Sequence, residues 1–351
     1  MLHLTVAVPT DLAEVVVSLL DAEASVTQLS VYKGGSVKPA GDVIEADVVR
    51  EAANIIIERL RALGVPQVGT VRIEPVSTWL SASAHSAEAA APGASADAVV
   101  WSETVSEAYA GAELNWTYFS FQVLATAIAA VGLINDSAIL VVGAMVLGPE
   151  FGAISAIGVA LVLRRPGLLT ISVRTLLVGF AASIALTWIG ARLLALLGWI
   201  SAETLAAKRP QTAFVYNPDR WTLIVAVIAA AAGVLSLTSE RLGGLTGVFI
   251  SVTTIPAAAN IAVGSAVGVW PQVRGSAVQL LVNIVAMIIA GWATLYLQKI
   301  VWSRVNLDRR GTFWSGRSKD AHRDLKAARV AHPQLTDRGR ADPQTPKSPP
   351  L

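Results

Sequence analysis

The sequence contains no cysteine, which removes disulfides, thiolate metal sites and cysteine nucleophiles from consideration together. Histidine is nearly as scarce: His3, His85, His322 and His332 are scattered, form no ligand pair and avoid every apolar segment. Charge is also low. Asp, Glu, Lys and Arg make up 15% of the 351 residues, where soluble domains carry about 25%. With 54% hydrophobic residues and a mean hydropathy of +0.57, the composition fits neither a water-soluble enzyme nor a disordered chain, and it indicates a membrane protein. No Gly-x-Ser-x-Gly, His-Glu-x-x-His or Walker loop occurs, so hydrolytic and ATP-driven chemistry lack their parts and no enzyme activity or cofactor is expected. The start, Met1-Leu-His-Leu-Thr-Val, has no positive n-region and reads as a strand rather than a signal peptide.

Residues 1–80 read as a small soluble α+β domain. Strand-like alternation over His3–Val8, a helix from Thr10 to about Glu23, and a strand over Val26–Tyr32 lead to a turn at Lys33-Gly34-Gly35. A third strand over Asp42–Val49, an amphipathic helix over Arg50–Leu63 closed by Gly64, and a fourth strand over Val68–Val76 complete the order βαββαβ, that of a ferredoxin-like domain. Its 10 Asp/Glu and 6 Lys/Arg make it mildly acidic, and it holds no catalytic constellation; domains of this kind often bind a small effector or assemble with a neighbouring subunit by strand addition. Residues 81–98 read as an Ala/Ser-rich linker, and 99–115 as an amphipathic juxtamembrane helix at the membrane surface.

About 20 apolar residues span a bilayer core. Six segments qualify within 116–303: 116–134, 137–163, 168–198, 221–238, 244–270 and 276–302. Trp116, Trp199, Trp221, Trp270 and Trp302 fall at their ends, where an interfacial aromatic belt belongs. An even number of spans puts both termini on one side. The tail, 304–351, carries 11 Lys/Arg against 5 Asp/Glu and then turns proline-rich, so it reads as disordered and attractive to anionic lipid. With Arg164-Arg165-Pro166 it assigns both termini to the cytoplasm, against which Lys208, Arg209 and Arg220 in the opposite loop count. Nucleic acid is not needed to explain the tail. The expected partners are lipid, a small effector and a second copy of the chain.

The spans fall into two similar halves. Ala127–Ile134 resembles Ile228–Leu235, and each is followed by a polar break and a long apolar segment with a central proline, Pro149 or Pro256. Three spans per half, an odd number, make this an inverted repeat. A proline removes a backbone donor and clashes one turn back, so both long segments should break near the midplane, the expected place of a transport site. The bland alternative is a pair of packing kinks, and if the two segments re-enter rather than cross, the inversion disappears. Glu150 follows Pro149 on the first turn of a half-helix, where the helix end favours negative charge. It suits a proton carrier, a cation ligand or a structural ion pair with Arg174. Ser251, Thr253, Thr254 and Asn260 beside the second break, and Asn283 in the last span, offer uncharged ligands or ordinary interhelical bonds. No metal site is expected.

The segments Gly132–Pro149 and Gly233 through Ile255-Pro256 resemble a hydrophobic membrane family of bacteria and archaea, the domain of unknown function 389. The resemblance covers about residues 110–300. It implies the helical membrane architecture and a bacterial plasma membrane location, and carries no settled activity. Many members have Ser-Pro-Leu where this chain has Gly148-Pro149-Glu150, and a double proline at Ile255-Pro256-Ala257. Two functions therefore compete: a secondary transporter or channel-like protein with its site between the broken helices, and a membrane-anchored sensor or scaffold.

Overall fold

A computed structural model describes residues 1–91, 98–217, 219–238 and 254–305. The chain forms two compact units, residues 1–95 and 96–304.

In the first unit, β1 (Leu2–Val8) turns Leu4, Val6 and Val8 inward and leaves the residues between them less buried. α1 (Thr10–Asp21), β2 (Val26–Val37), β3 (Ala40–Val48), α2 (Ala53–Ala62), the single turn α3 (Val65–Val68) and β4 (Thr70–Pro75) follow. The sheet order is β2-β3-β1-β4 with every pairing antiparallel. Val16 and Leu20 of α1 and Ile56 and Leu60 of α2 pack on Leu4, Val6 and Ile44, so the spacing of apolar residues by three and four on the helices meets their alternation on the strands.

Two expectations are corrected here. The turn expected at Lys33-Gly34-Gly35 lies inside β2, and the hairpin closes after Val37 instead. Gly34 adopts φ 64° and its N–H reaches Asp42 Oδ1 at 2.8 Å, while the register shifts between Tyr32 and Ser36. A left-handed glycine there inserts a bulge into the strand rather than ending it. Within the expected linker, residues 82–90 form helix α4 (Ala82–Ala90), whose N-cap Ser81 accepts a bond from the Ala84 N–H. Five of its nine residues are alanine, the strongest helix former, so low complexity does not mean absence of structure.

The second unit begins with α5 (Trp101–Ala112). α5 packs Val105, Ala108 and Ala112 against Ala156, Val159 and Ala160 of a later helix. α6 (Trp116–Ile134) is followed by α7 (Ala138–Leu147) and α8 (Glu150–Leu163), which are bent by 51° across Gly148-Pro149. α9 (Pro166–Leu196), the short α10 (Ala202–Ala206), α11 (Arg220–Thr238), α12 (Thr254–Val267) and α13 (Trp270–Val305) complete the unit. Among the described residues, four helices are long and apolar enough to cross a membrane: α6, α9, α11 and α13. The bent pair α7–α8 makes a fifth if it crosses as one. Of the sixth expected segment, 244–270, residues 244–253 lie outside the described residues, and Thr254–Val267 is a shorter apolar helix.

Several helix boundaries recur at a separation of 104 residues: α6 begins at 116 and α11 at 220, α8 ends at 163 and α12 at 267, and α9 begins at 166 and α13 at 270. The caps agree as well. Asn115 accepts the Tyr118 N–H at 2.8 Å, and Asp219 the Thr222 N–H at 2.8 Å. α8 and α12 both end on a left-handed residue, Arg164 and Gly268, after which Arg165 N–H bonds Ala160 O and Val269 N–H bonds Gly264 O. That is one helix-ending motif used twice. At this spacing the two prolines are not counterparts: Pro256 corresponds to position 152, inside α8, whereas Pro149 precedes α8.

Candidate functional site

Glu150 opens α8 and is 1% exposed. Pro149 precedes it because proline fits the entrance of a helix, where its missing N–H costs nothing. No side chain caps this helix end. Glu150 Oε1 accepts a hydrogen bond from Thr254 Oγ1 at 2.6 Å. Thr254 stands 104 residues on, the counterpart of Glu150 in the other half. The carboxylate therefore joins the first described residues of the two matching helices, and both side chains are buried.

The other expected residues divide. Thr253 and Ser251 lie outside the described residues. Asn260 is fully buried, but its Nδ2 donates to Ser276 Oγ at 2.8 Å, and Ser276 in turn donates to Val215 O. Asn260 is thus tied to the loop after α10 rather than bonded to Glu150. Asn283 is fully buried and accepts from Gln279 Nε2 at 3.4 Å on its own helix. Arg174 is exposed on α9, in a shallow apolar groove with Leu169, Val173 and Leu177, and among the described residues it forms no ion pair with Glu150. A hydroxyl, not a guanidinium, meets the carboxylate. Arg192 of α9 donates to Ala266 O at 3.1 Å.

Several residues of this neighbourhood escaped the sequence reading. Tyr118 of α6 lies within electrostatic reach of Glu150, and its ring covers Gly179, where an added Cβ would sit 2.8 Å from Tyr118 Cε1. Gln122 and Thr126 continue the same buried stripe at intervals of four. The signal was present: Tyr118, Gln122 and Thr126 are polar groups on one face of an otherwise apolar span. Gly152, two residues into α8 from Glu150, meets Gly111 of α5 so closely that a Cβ on it would lie 2.8 Å from Gly111 O.

A second polar cluster holds the loop between α9 and α11. Arg209 donates to Leu133 O at 3.1 Å and to Gln272 Oε1, and its guanidinium lies 5.0 Å over the Tyr216 ring. Asp136 accepts from the Gln211 and Thr212 N–H groups and from Thr212 Oγ1. The loop is thereby fastened to the end of α6 and the start of α13. In the N-terminal unit a cavity of about 390 Å³ is lined by Thr27, Gln28, Asp47, Trp79 and Ala84 among others. His3 Nδ1 and Asp47 Oδ1 are 2.7 Å apart at its edge. No group of three or more metal-ligating side chains occurs among the described residues.

Apolar helices of spanning length, one of them bent beside a buried carboxylate, are compatible with a multi-pass membrane protein. Residues 145–289 match the family model "Domain of unknown function (DUF389)". An uncharacterized protein of Methanocaldococcus jannaschii is 24% identical over 165 residues, which are 47% of this chain and 49% of the relative. The match thus spans about half the length of that curated relative. No solved structure matches.

Proposed function

We propose that the chain is a secondary transporter or channel-like protein for a small solute or ion, with its site between the amino ends of α8 and α12. The observation that carries this reading is the bond between buried Glu150 and Thr254, which places a carboxylate where the two matching halves meet. A carboxylate in the bilayer core costs about 2.5–3.5 kcal/mol on insertion scales, so such residues mark pathways and relays. In this reading six spans form a 3+3 inverted repeat about a midplane site, with 137–163 and 244–270 each crossing once. Glu150 and Thr254, then Thr253, Asn260 and Asn283, are its ligands or coupling groups. The caps and helix boundaries that recur 104 residues apart support the repeat. The βαββαβ order and the β2-β3-β1-β4 sheet support a ferredoxin-like regulatory domain whose cavity takes a small effector. Both termini face the cytoplasm of a bacterial plasma membrane, and the basic tail meets anionic lipid.

The absence of cysteine makes the protein its own background for the test. Single cysteines at 136, 150, 240 and 260 are labelled from either side with a membrane-impermeant thiol reagent. Labelling of 136 and 240 from opposite faces, with 150 and 260 reactive, is the expected result. If 150 and 260 stay inert in folded protein, transport through this site is refuted. The second reading, a membrane-anchored sensor or scaffold, then takes its place, and the closed packing around Glu150 is what favours it.

A further inference from the structure

We propose that the cavity of the N-terminal unit binds a small protonated primary amine, with Asp47 as its counter-ion. The inference rests on the reading of that unit as an effector domain and names the class of effector. At about 390 Å³ the cavity has room for a small molecule. Asp47 is the one carboxylate in its lining, and neither Lys nor Arg lines it among the described residues. Asp47 Oδ1 lies 2.7 Å from His3 Nδ1, and the side chain keeps 27% of its surface exposed. No hydrogen bond to Oδ2 occurs among the described residues, so an ionised carboxylate has an acceptor oxygen to spare. Thr27, Gln28 and Ser81 add hydroxyl and amide oxygens to the same lining. A primary ammonium group presents three donors and no acceptor, which complements such a set.

Trp79 is the aromatic part of the lining. Its ring centroid stands 6.3 Å from that of His85, whose Nδ1 is 2.8 Å from Ser81 O, so the indole is held beside the start of α4. An indole attracts an ammonium group through its face and covers an alkyl chain with its area. The surrounding charges point the same way. Leu4 and Val6 face the core, so His3 and Thr5 stand on the opposite face of the sheet. The register puts Asp47 and Glu74 beside His3, and Glu45 and Arg72 beside Thr5. Three carboxylates thus share this face with one arginine, which lies 3.8 Å from Glu74. Such a field draws a cation and repels a phosphate or carboxylate. Met1, also in the lining, carries the amino terminus, which lies within electrostatic reach of Glu51. A metal ion is a poor occupant: hard cations take six or more oxygen ligands, and no group of three metal-ligating side chains occurs among the described residues. An organic cation needs only one counter-ion and an apolar wall.

The test uses the whole purified protein in detergent, at neutral pH and constant ionic strength. Calorimetric titration with butylamine hydrochloride is expected to show one site per chain, with slowed hydrogen exchange in peptides covering 26–32 and 76–90. Butyrate and 1-butanol, of the same length, are expected to bind at least about tenfold more weakly. Asp47→Asn keeps the shape and is expected to weaken butylamine about tenfold or more, as the loss of one hydrogen bond to a charged group implies. Glu74→Gln lies on the same face but outside the lining, and is expected to bind as wild type does. Unchanged exchange in α2 shows that each variant is folded. Butylamine binding that survives Asp47→Asn, or that falls equally in both variants, overturns the proposal. Tighter binding of γ-aminobutyrate than of butylamine overturns it in favour of a zwitterion held also by the amino terminus. If 1-butanol or butyrate protects 26–32 and 76–90 while butylamine does not, the amine inference fails and the effector reading stands. If none of the four compounds protects these segments, both fail.

Discussion

Glu51 offers the most quantitative check on the N-terminal unit. It lies in the single 3-10 turn Arg50–Ala52 that leads into α2 and is 5% exposed. Neither carboxylate oxygen receives a hydrogen bond from another residue among the described ones. Burial pushes its pKa from 4.5 up to about 7, its own backbone N–H opposes this, the nearby Glu88 adds to it, and the amino terminus and Arg50 work against it. The sign follows directly. Between these two values the unfolded chain has lost the proton while the folded unit keeps it, so stability falls as pH rises and levels off above about pH 7. A rise from 4.5 to about 7, at about 1.4 kcal/mol per pH unit, corresponds to a loss of about 3 kcal/mol. Glu51→Gln keeps the shape and cannot ionise. Hydrogen-exchange mass spectrometry on the whole chain, read on peptides from β1, β3 and α2 and corrected for intrinsic rates, compares the variant with wild type. The stability difference should grow in favour of the variant by about 3 kcal/mol between pH 4.5 and 8. A difference that stays constant over that range would refute the assignment of a buried, protonated Glu51.

Further outcomes follow from contacts in the membrane unit. Thr254→Val removes the hydroxyl that meets Glu150 and should lower thermal stability by about 1.5–3 kcal/mol, the range for hydrogen bonds to charged groups, while Thr254→Ser should retain most of it. Equal stability of the two variants would show that the bond contributes nothing. Gly152→Val drives a side chain into the Gly111 backbone and should cost about 1–3 kcal/mol by overpacking, seen as faster hydrogen exchange across α5; unchanged α5 protection would contradict the close approach. Arg209→Ala leaves the Leu133 carbonyl and the Gln272 amide oxygen without their donor at about 1–3 kcal/mol. Its readout is proteolysis within residues 198–219, and a loop as resistant as wild type would count against the clamp.

Much of the architecture was legible because it rests on periodicity and composition. Alternation over His3–Val8 and the three-four spacing of Ala53, Ile56, Ile57 and Leu60 depend on short stretches of chain, and they became β1 and α2. Apolar length located α6, α9, α11 and α13, and Pro149 located the break before α8, because the lost backbone donor acts on its own helix. Less local features were misjudged. The bulge at Gly34 requires the partner strand that supplies Asp42.

The site shows the same division. That Glu150 is a costly residue in an apolar segment is a property of sequence, since an isolated carboxylate among hydrocarbon is unfavourable whatever surrounds it. Which group meets it is decided by packing over a separation of 104 residues, where the nearer arginine at 174 is turned outward and a threonine is brought to 2.6 Å. Length, hydropathy and the breaking power of proline act along the chain and can be read from it. Partner choice depends on which helix faces arrive at the same place, and that was determined only when the helices packed.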